Sequence, residues 1–225
     1  MSSIMTPWNF PHLCTVNSVV PAIISGNAVI LKPAPQTPSP AERVLSAFLS
    51  AGLPQNVLQV VHLSQEVSLG SFVPDPRIDY VAFTGSVAGG RAVQEAASKG
   101  KGFKLVGLEL GGKDPAYVRE DADVKWTAEQ LVDGAMFNSG QSCMFISVAC
   151  RIKLMSGCGI ERIYVHSSKF DGFVKQFAEL AKEYKLGDPR KADTTIGPVV
   201  SVASAARIRK QVKDAGKLLL SARLQ

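Results

Sequence analysis

Tyr80–Thr84 (YVAFT), Gly89–Ser98 (GGRAVQEAAS) and Lys104–Leu110 (KLVGLEL) follow one another almost without a gap. The first and last are short apolar runs bounded by turn residues, which predicts buried strands. The middle run has helical composition. The trio is therefore a strand–helix–strand unit. The same alternation extends backward. Asn27–Leu31 (NAVIL) and Val57–Val61 (VLQVV) read as strands, His12–Ser25 as a helix, and Ser39–Ser50 as a helix with Ser39 at its N-cap, Pro40 at its first position and Gly52 as its stop. Pro7 and Pro11 bracket a loop, and Pro33, Pro35, Pro38 and Pro40 mark another. Strands alternating with helices predict an α/β fold with a parallel, doubly wound, Rossmann-like sheet, right-handed in its crossovers and buried on both faces.

Beyond Pro115 a second α/β unit begins. Val124–Phe137 reads as a helix broken by Asn138-Ser139-Gly140, and Ile163–His166 as a strand. Lys169–Tyr184 is a strongly amphipathic helix with Phe170, Phe173, Val174, Phe177, Leu180 and Ala181 at helical spacing. Ser201–Ala215 is a further helix. The domain boundary is placed between residues 111 and 112.

The 225 residues carry a net charge of +6, unevenly spread. Residues 1–150 hold 10 basic and 12 acidic groups, residues 151–225 hold 15 and 7. The basic third raises nucleic acid as a partner, but its lysines are interleaved with Glu179 and Glu183 and accompany no aromatic platform. A solvated basic face is the better reading, and no nucleic-acid partner is expected. The four cysteines, Cys14, Cys143, Cys150 and Cys158, form no C-x-x-C pair, and there are three histidines, so no metal site is expected. Met1–Pro7 has no signal-peptide pattern, and the longest apolar stretch, Val19–Leu31, is broken by Pro21, Gly26 and Asn27 and too short for a bilayer. These features predict a soluble, cytoplasmic chain without a membrane partner.

Four local patterns carry candidate chemistry, each with a plain alternative. Phe83–Gly90 (FTGSVAGG) lies where a strand becomes a helix, where glycines admit a ligand to the backbone and the helix start offers N–H groups to a phosphate; it is not G-x-G-x-x-G, and a simple tight turn remains open. Cys143 follows a helix break in Phe137–Cys143 (FNSGQSC), and is either a presented thiol or a small buried hydrophobe. Glu109 ends an apolar strand on the side of Leu105 and Gly107, facing solvent or a site; burial there would raise its pKa and suit it to act as a base. Lys32 closes NAVIL and is either a solvated strand end or a ligand donor at the carboxyl edge of a sheet.

Taken in order, P-W-N-F-P, N-A-V-I-L-K-P, F-T-G-S, L-E-L-G-G-K and N-S-G-Q-S-C resemble the aldehyde dehydrogenase superfamily, from about Pro7 to Val200, with Gly187-Asp188-Pro189 and Ile196-Gly197-Pro198 included. The resemblance implies NAD(P)-dependent oxidation of an aldehyde to an acid. Cys143 is then the nucleophile, Asn9 and the cysteine's own N–H hold the oxyanion, and Glu109 activates the water that hydrolyses the thioester. Lys32 matches a ribose-binding lysine, Gly85 and Ser86 the turn near the pyrophosphate, and Trp8, Gly90 and Leu110 further cofactor positions. The cofactor is NAD or NADP. Residues 1–111 are implied to be a partial cofactor-binding domain, and 112–225 the start of a catalytic domain.

Three departures from the family pattern stand out. Pro35 occupies the position, three after Lys32, where NAD-preferring members often carry a ribose-binding glutamate. His62–Glu66 (HLSQE) replaces a glycine-containing stretch. Met144–Gly157 (MFISVACRIKLMSG) matches no family element and reads as an insertion, for which a retained intron or a gene-model error is the hypothesis. The resemblance also implies segments before Pro7 and after Gln225, the latter with cofactor, substrate and subunit contacts, since full-length relatives homo-oligomerise. The alternative expectation is a truncated, inactive relative that at most binds a nucleotide or a partner.

Overall fold

The computed structural model describes residues 1–142 and 159–222, with side chains described up to residue 216. The chain divides into two compact units, Met1–Gly112 and Lys113–Gln225.

The first unit runs β1 (Ser2–Met5), α1 (Pro11–Ile24), β2 (Val29–Lys32), α2 (Ser39–Ser50), β3 (Leu58–Val60), α3 (Gln65–Val67) continuing as a π-helical turn over Ser68–Phe72, β4 (Tyr80–Gly85), α4 (Val87–Ser98) and β5 (Leu105–Leu110). All five strands are parallel, in the order β3-β2-β1-β4-β5. The expected doubly wound sheet is present. Alternation along β1 shows why both faces are buried: Ile4 joins Val19, Val29, Leu31, Ala41 and Leu58 on the α1–α2 side. Its neighbour Met5 joins Val73, Ile78, Val81, Val93, Ala96 and Ala97 on the α4 side.

β1 was not among the expected strands. Its sequence, SSIM, is short and half hydroxylated, so it lacks the apolar run that marks a buried strand, yet it is the central strand and wholly buried. The backbone supplies what the side chains do not: β1 pairs along its whole length with β2 on one side and β4 on the other. Two helix starts also differ from expectation. α2 begins at Ser39 itself, with Pro38 at its cap and no side-chain capping bond. α4 begins at Val87 rather than Gly89, because Ser86 caps it by accepting the Gly89 N–H at 3.1 Å. α1 continues through Pro21, a residue that lacks the N–H for an intrahelical bond.

The second unit comprises β6 (Asp114–Val118), α5 (Val124–Met136), a tight 3-10 turn over Phe137–Gly140, β7 (Ile160–Val165), α6 (Phe170–Lys182) and α7 (Val202–Ala222). β6 was also unexpected, since Asp114 and Pro115 disguise it; it pairs in parallel with β7 through Val118–Val165. Asp123 caps α5 by accepting the Trp126 N–H at 2.8 Å. Val118, Ala128 and Phe173 form the core, flanked by Val124, Leu131, Ile163, Phe177 and Leu180, so Phe173, Phe177 and Leu180 turn inward from α6 while Phe170 and Val174 stay exposed. Among the described residues no helix is long and apolar enough to cross a membrane.

Candidate active site

In a parallel sheet every strand ends on the same edge. The loop Thr6–Phe10 leaves β1, Lys32 closes β2, Gly85 and Ser86 leave β4, and Glu109 and Leu110 close β5. Topology alone thus brings Trp8, Asn9, Lys32, Gly85, Ser86, Glu109 and Leu110 to one rim. The chain travels from β1 outward to β3 and then returns to the other side of β1 as β4. The reversal between β1 and β4 is the switch point at which open α/β sheets bind ligands. Trp8–Asn9 and Gly85–Ser86 flank it.

The loop after β1 is tied to the loop after β2, where Thr37 Oγ1 donates to the Trp8 carbonyl at 3.2 Å. Trp8 and Asn9 are half-buried. Lys32 is also half-buried, and that burial lowers its ammonium pKa from the ordinary lysine range. A half-buried ammonium at this edge favours an anionic ligand. Beyond β3, His62 Nε2 lies 2.6 Å from Glu42 Oε1 in the first turn of α2. Sequence reasoning saw His62 only as a departure. Neither partner carries a pattern that announces the pair, because they are 20 residues apart.

The glycines of FTGSVAGG each lie close under a neighbouring side chain. A Cβ on Gly85 would lie 2.7 Å from the Phe83 ring, one on Gly89 2.8 Å from the same ring, and one on Gly90 2.5 Å from a Leu110 methyl. Gly90 is buried, so Gly90 and Leu110 act together by letting α4 settle on β5. Ser86 is exposed at the α4 start, where the first N–H groups have no intrahelical carbonyl and the helix dipole favours an anion. A dinucleotide's pyrophosphate fits this turn chemically. Glu109 is exposed, at the end of β5 and in register with Thr84.

In the second unit, Cys143 and the Met144–Gly157 stretch lie outside the described residues. The approach to them is described. Asn138 (φ 51°, ψ 34°), Ser139 (φ 59°, ψ 35°) and Gly140 (φ 68°) are three consecutive left-handed residues. Ser139 Oγ donates to the Gly197 carbonyl at 2.9 Å, and Gln141 Oε1 accepts the Val200 N–H at 2.7 Å. A cavity of about 410 Å³ opens beside this loop, lined by Asn138, Ser139, Gln141, Thr194, Thr195 and Pro198 among others. At the far end of the 143–158 stretch, a Cβ on Gly159 would lie 2.8 Å from the Ser142 carbonyl oxygen. Residues 142 and 159 are thus in contact. Sequence reasoning missed Ser139 and Gln141, which sit inside a quoted motif, because only geometry shows what their side chains grip.

A profile of the aldehyde dehydrogenase family matches residues 1–220. The chain belongs to the aldehyde dehydrogenase family. The match reaches further at both ends than the Pro7–Val200 of the quoted motifs and takes in β1. Among curated relatives, the D-glyceraldehyde dehydrogenase (NADP(+)) of Picrophilus torridus is 35% identical over 92% of this chain and 38% of its own length. An aldehyde dehydrogenase of Davidiella tassiana is 39% identical over 93% of this chain and 40% of its own. Among solved structures, lactaldehyde dehydrogenase from Escherichia coli superposes with a TM-score of 0.83 at 31% identity, covering 96% of this chain and 42% of that one. An NAD-dependent aldehyde dehydrogenase from Sinorhizobium meliloti gives 0.83 at 33%, covering 94% and 39%. The chain spans about two-fifths of the length of the family members it matches. Names of both cofactor types occur among them, and none lends weight to the inactive alternative.

Proposed function

We propose that this chain carries the nucleotide-binding unit and the nucleophile loop of an NAD(P)-dependent aldehyde dehydrogenase, oxidising an aldehyde to a carboxylic acid. The observation that supports this most is the convergence of Trp8, Asn9, Lys32, Gly85, Ser86 and Glu109 on the carboxyl edge of one parallel sheet, around its switch point. Residues 1–111 are then the cofactor domain and 112–225 the beginning of the catalytic domain.

In this reading the Cys143 thiolate adds to the carbonyl carbon, forming the C–S bond and moving the π pair onto oxygen. The Asn9 amide and the Cys143 N–H donate to that oxyanion, stabilising charge where it develops. When bound, NAD(P)+ would supply the hydride acceptor, and the Cys143 oxyanion would then collapse to a thioester. Glu109 takes a proton from water, the hydroxide adds to the thioester carbon, and the thiolate leaves. The exposure of Glu109 gives it access to that water. Lys32 and the α4 start would hold the nucleotide's ribose and phosphates. Pro35 is exposed in the loop after β2 and puts no carboxylate there, so a 2′-phosphate meets no repulsion and NADP is accepted. The naming of the P. torridus relative for NADP(+) agrees with this.

The test is NAD(P)H formation by the purified chain with a panel of aldehydes, beside Cys143→Ala. The expected outcome is slow production that disappears in the variant. Production that persists in Cys143→Ala, or none from folded wild-type chain, overturns the proposal.

A further inference from the structure

We propose that His62 reads the adenosine ribose of the dinucleotide by taking a 2′-phosphate, and that Glu42 holds its ring for that task. The inference rests on the reading of the first unit as a dinucleotide site and deepens its cofactor choice. The stretch His62–Glu66, a departure from the family pattern, folds into a defined turn. Ser64 Oγ accepts the Val67 N–H at 3.2 Å, and the Ser64 carbonyl accepts the Ser68 hydroxyl at 2.7 Å. Its placement follows from the sheet. The order β3-β2-β1-β4-β5 sets the α4 start, Lys32 and His62 along one edge, with β3 outermost. Val61 N–H donates to the Leu31 carbonyl at 2.9 Å, so the chain enters His62 beside Lys32. A dinucleotide with its pyrophosphate at the α4 start and its adenosine ribose at Lys32 runs toward β3, where His62 comes next. One strand spacing, about 5 Å, separates the two strand ends, a gap that a phosphate on a ribose hydroxyl can bridge.

The connection that follows Lys32 returns to the same place. α2 packs on β3 through Ala41, Leu45, Leu58 and Val60. That packing brings Glu42, in the first turn of α2, to His62, whose Nε2 lies 2.6 Å from Glu42 Oε1. The bond at one imidazole nitrogen decides what the other can do. Here Nε2 is given to the carboxylate, and Nδ1 is not engaged among the described residues. A doubly protonated ring donates Nε2–H to Glu42 and Nδ1–H to a phosphate oxygen, a charge-assisted bond at each nitrogen. A 2′-hydroxyl brings no charge to that donor, so the pair favours the phosphorylated ribose. Glu42 alone would repel a 2′-phosphate; an imidazolium between the two turns repulsion into attraction. Both side chains are exposed, so either can be replaced without emptying the core.

The experiment is calorimetric titration of the full chain with adenosine 2′,5′-bisphosphate and, separately, adenosine 5′-monophosphate, which differ only in the 2′-phosphate. The wild-type chain is expected to bind the bisphosphate more tightly. His62→Ala is expected to lower the ratio of the two affinities about tenfold while the monophosphate does not move. His62→Ala with Glu42→Gln is expected to regain part of that ratio, because the carboxylate bared by the first substitution is gone. An unchanged ratio in His62→Ala, an equal loss for both nucleotides included, overturns the proposal. A double variant no better than His62→Ala overturns the role given to Glu42. Should His62→Ala fail to fold, His62→Gln is read by the same ratio and overturns or supports the proposal on the same terms. A folded wild-type chain that binds neither nucleotide overturns the dinucleotide reading together with this one. Binding of both at a ratio that does not depend on His62 overturns this one alone.

Discussion

The two units hold the loops beside their candidate residues by different physics. In Met1–Gly112 the backbone topology does it: parallel strands end together, so any residue just past a strand arrives at the same rim. In Lys113–Gln225 a loop in an unfavourable conformation is held by side-chain hydrogen bonds to a segment nearly 60 residues away. The first device tolerates changes in the side chains that surround it. The second depends on a few atoms.

Glycines sharpen the contrast most. The Cβ of Gly90→Ala would meet the end of the Leu110 side chain, which can turn aside, and a helix interior gains about 1 kcal/mol from alanine. The Cβ of Gly159→Ala would meet the Ser142 carbonyl, a backbone atom that can yield only by moving the loop. Gly159→Ala is expected to cost about 1–3 kcal/mol and Gly90→Ala close to nothing. Urea unfolding of both variants decides this; equal costs would remove the distinction between these two positions.

Next in size is the deletion of residues 144–157. Because Ser142 and Gly159 already touch, the two residues left between them can close the gap without moving β7. Shortening the connection from sixteen residues to two lowers the entropic cost of closing it, so the shortened chain is expected to be more stable. Thermal melting of the shortened chain checks it, and a lowered midpoint would show that the stretch is part of the fold. If the stretch disturbs Cys143, NAD(P)H production rises in the same variant.

Pro35→Glu probes the topological device. A carboxylate restored beside Lys32 is expected to weaken NADP by about 1 kcal/mol, roughly fivefold, while leaving NAD unchanged or tighter. Titration of intrinsic fluorescence with each dinucleotide reads the ratio. An unchanged ratio would move the 2′-phosphate away from this loop.

The sequence reading reached most of the first unit and less of the second for the same reason. β2, β4 and β5 announce themselves as apolar runs, and their ends then locate Lys32, Ser86 and Glu109 without further information. β1 and β6 were missed because SSIM and DPAYV hide pairing strands behind hydroxyls, an aspartate and a proline. The break at Asn138-Ser139-Gly140 was legible from its composition, but the hold of Gln141 on Val200 was not, since no periodicity links residues 141 and 200. His62 and Glu42 fail for the same cause. Side-chain bonds between distant loops leave no trace in local pattern.

The smallest expected effect concerns pH, and it separates the units again. Surface carboxylates behave alike in both. Asp75 is held well below the usual carboxylate range by hydrogen bonds from Arg77, and Asp79 is lowered by its bond to the chain's N-terminal ammonium. Glu179 and Asp188 are lowered by Lys182 and Arg190. Each has a depressed folded-state pKa, so its small, solvent-screened contribution is present above the unfolded value of about 4 and fades as pH falls below it. Both units should lose it together. Lys32 has no described counterpart across the boundary: burial lowers its pKa, so its charged form is less favourable folded than unfolded. That penalty is fully present at neutral pH and is relieved as pH rises through the lowered value toward the ordinary lysine range. The first unit is therefore expected to gain slightly as pH rises toward the ordinary lysine range of about 10, while the second does not. Trp8 lies in one unit and Trp126 in the other, so Trp126→Phe and Trp8→Phe each leave a single fluorescent reporter. Melting followed by Trp8 should rise relative to melting followed by Trp126 over that window, and Lys32→Met should abolish the difference. A difference that survives Lys32→Met would assign the alkaline response to some other group.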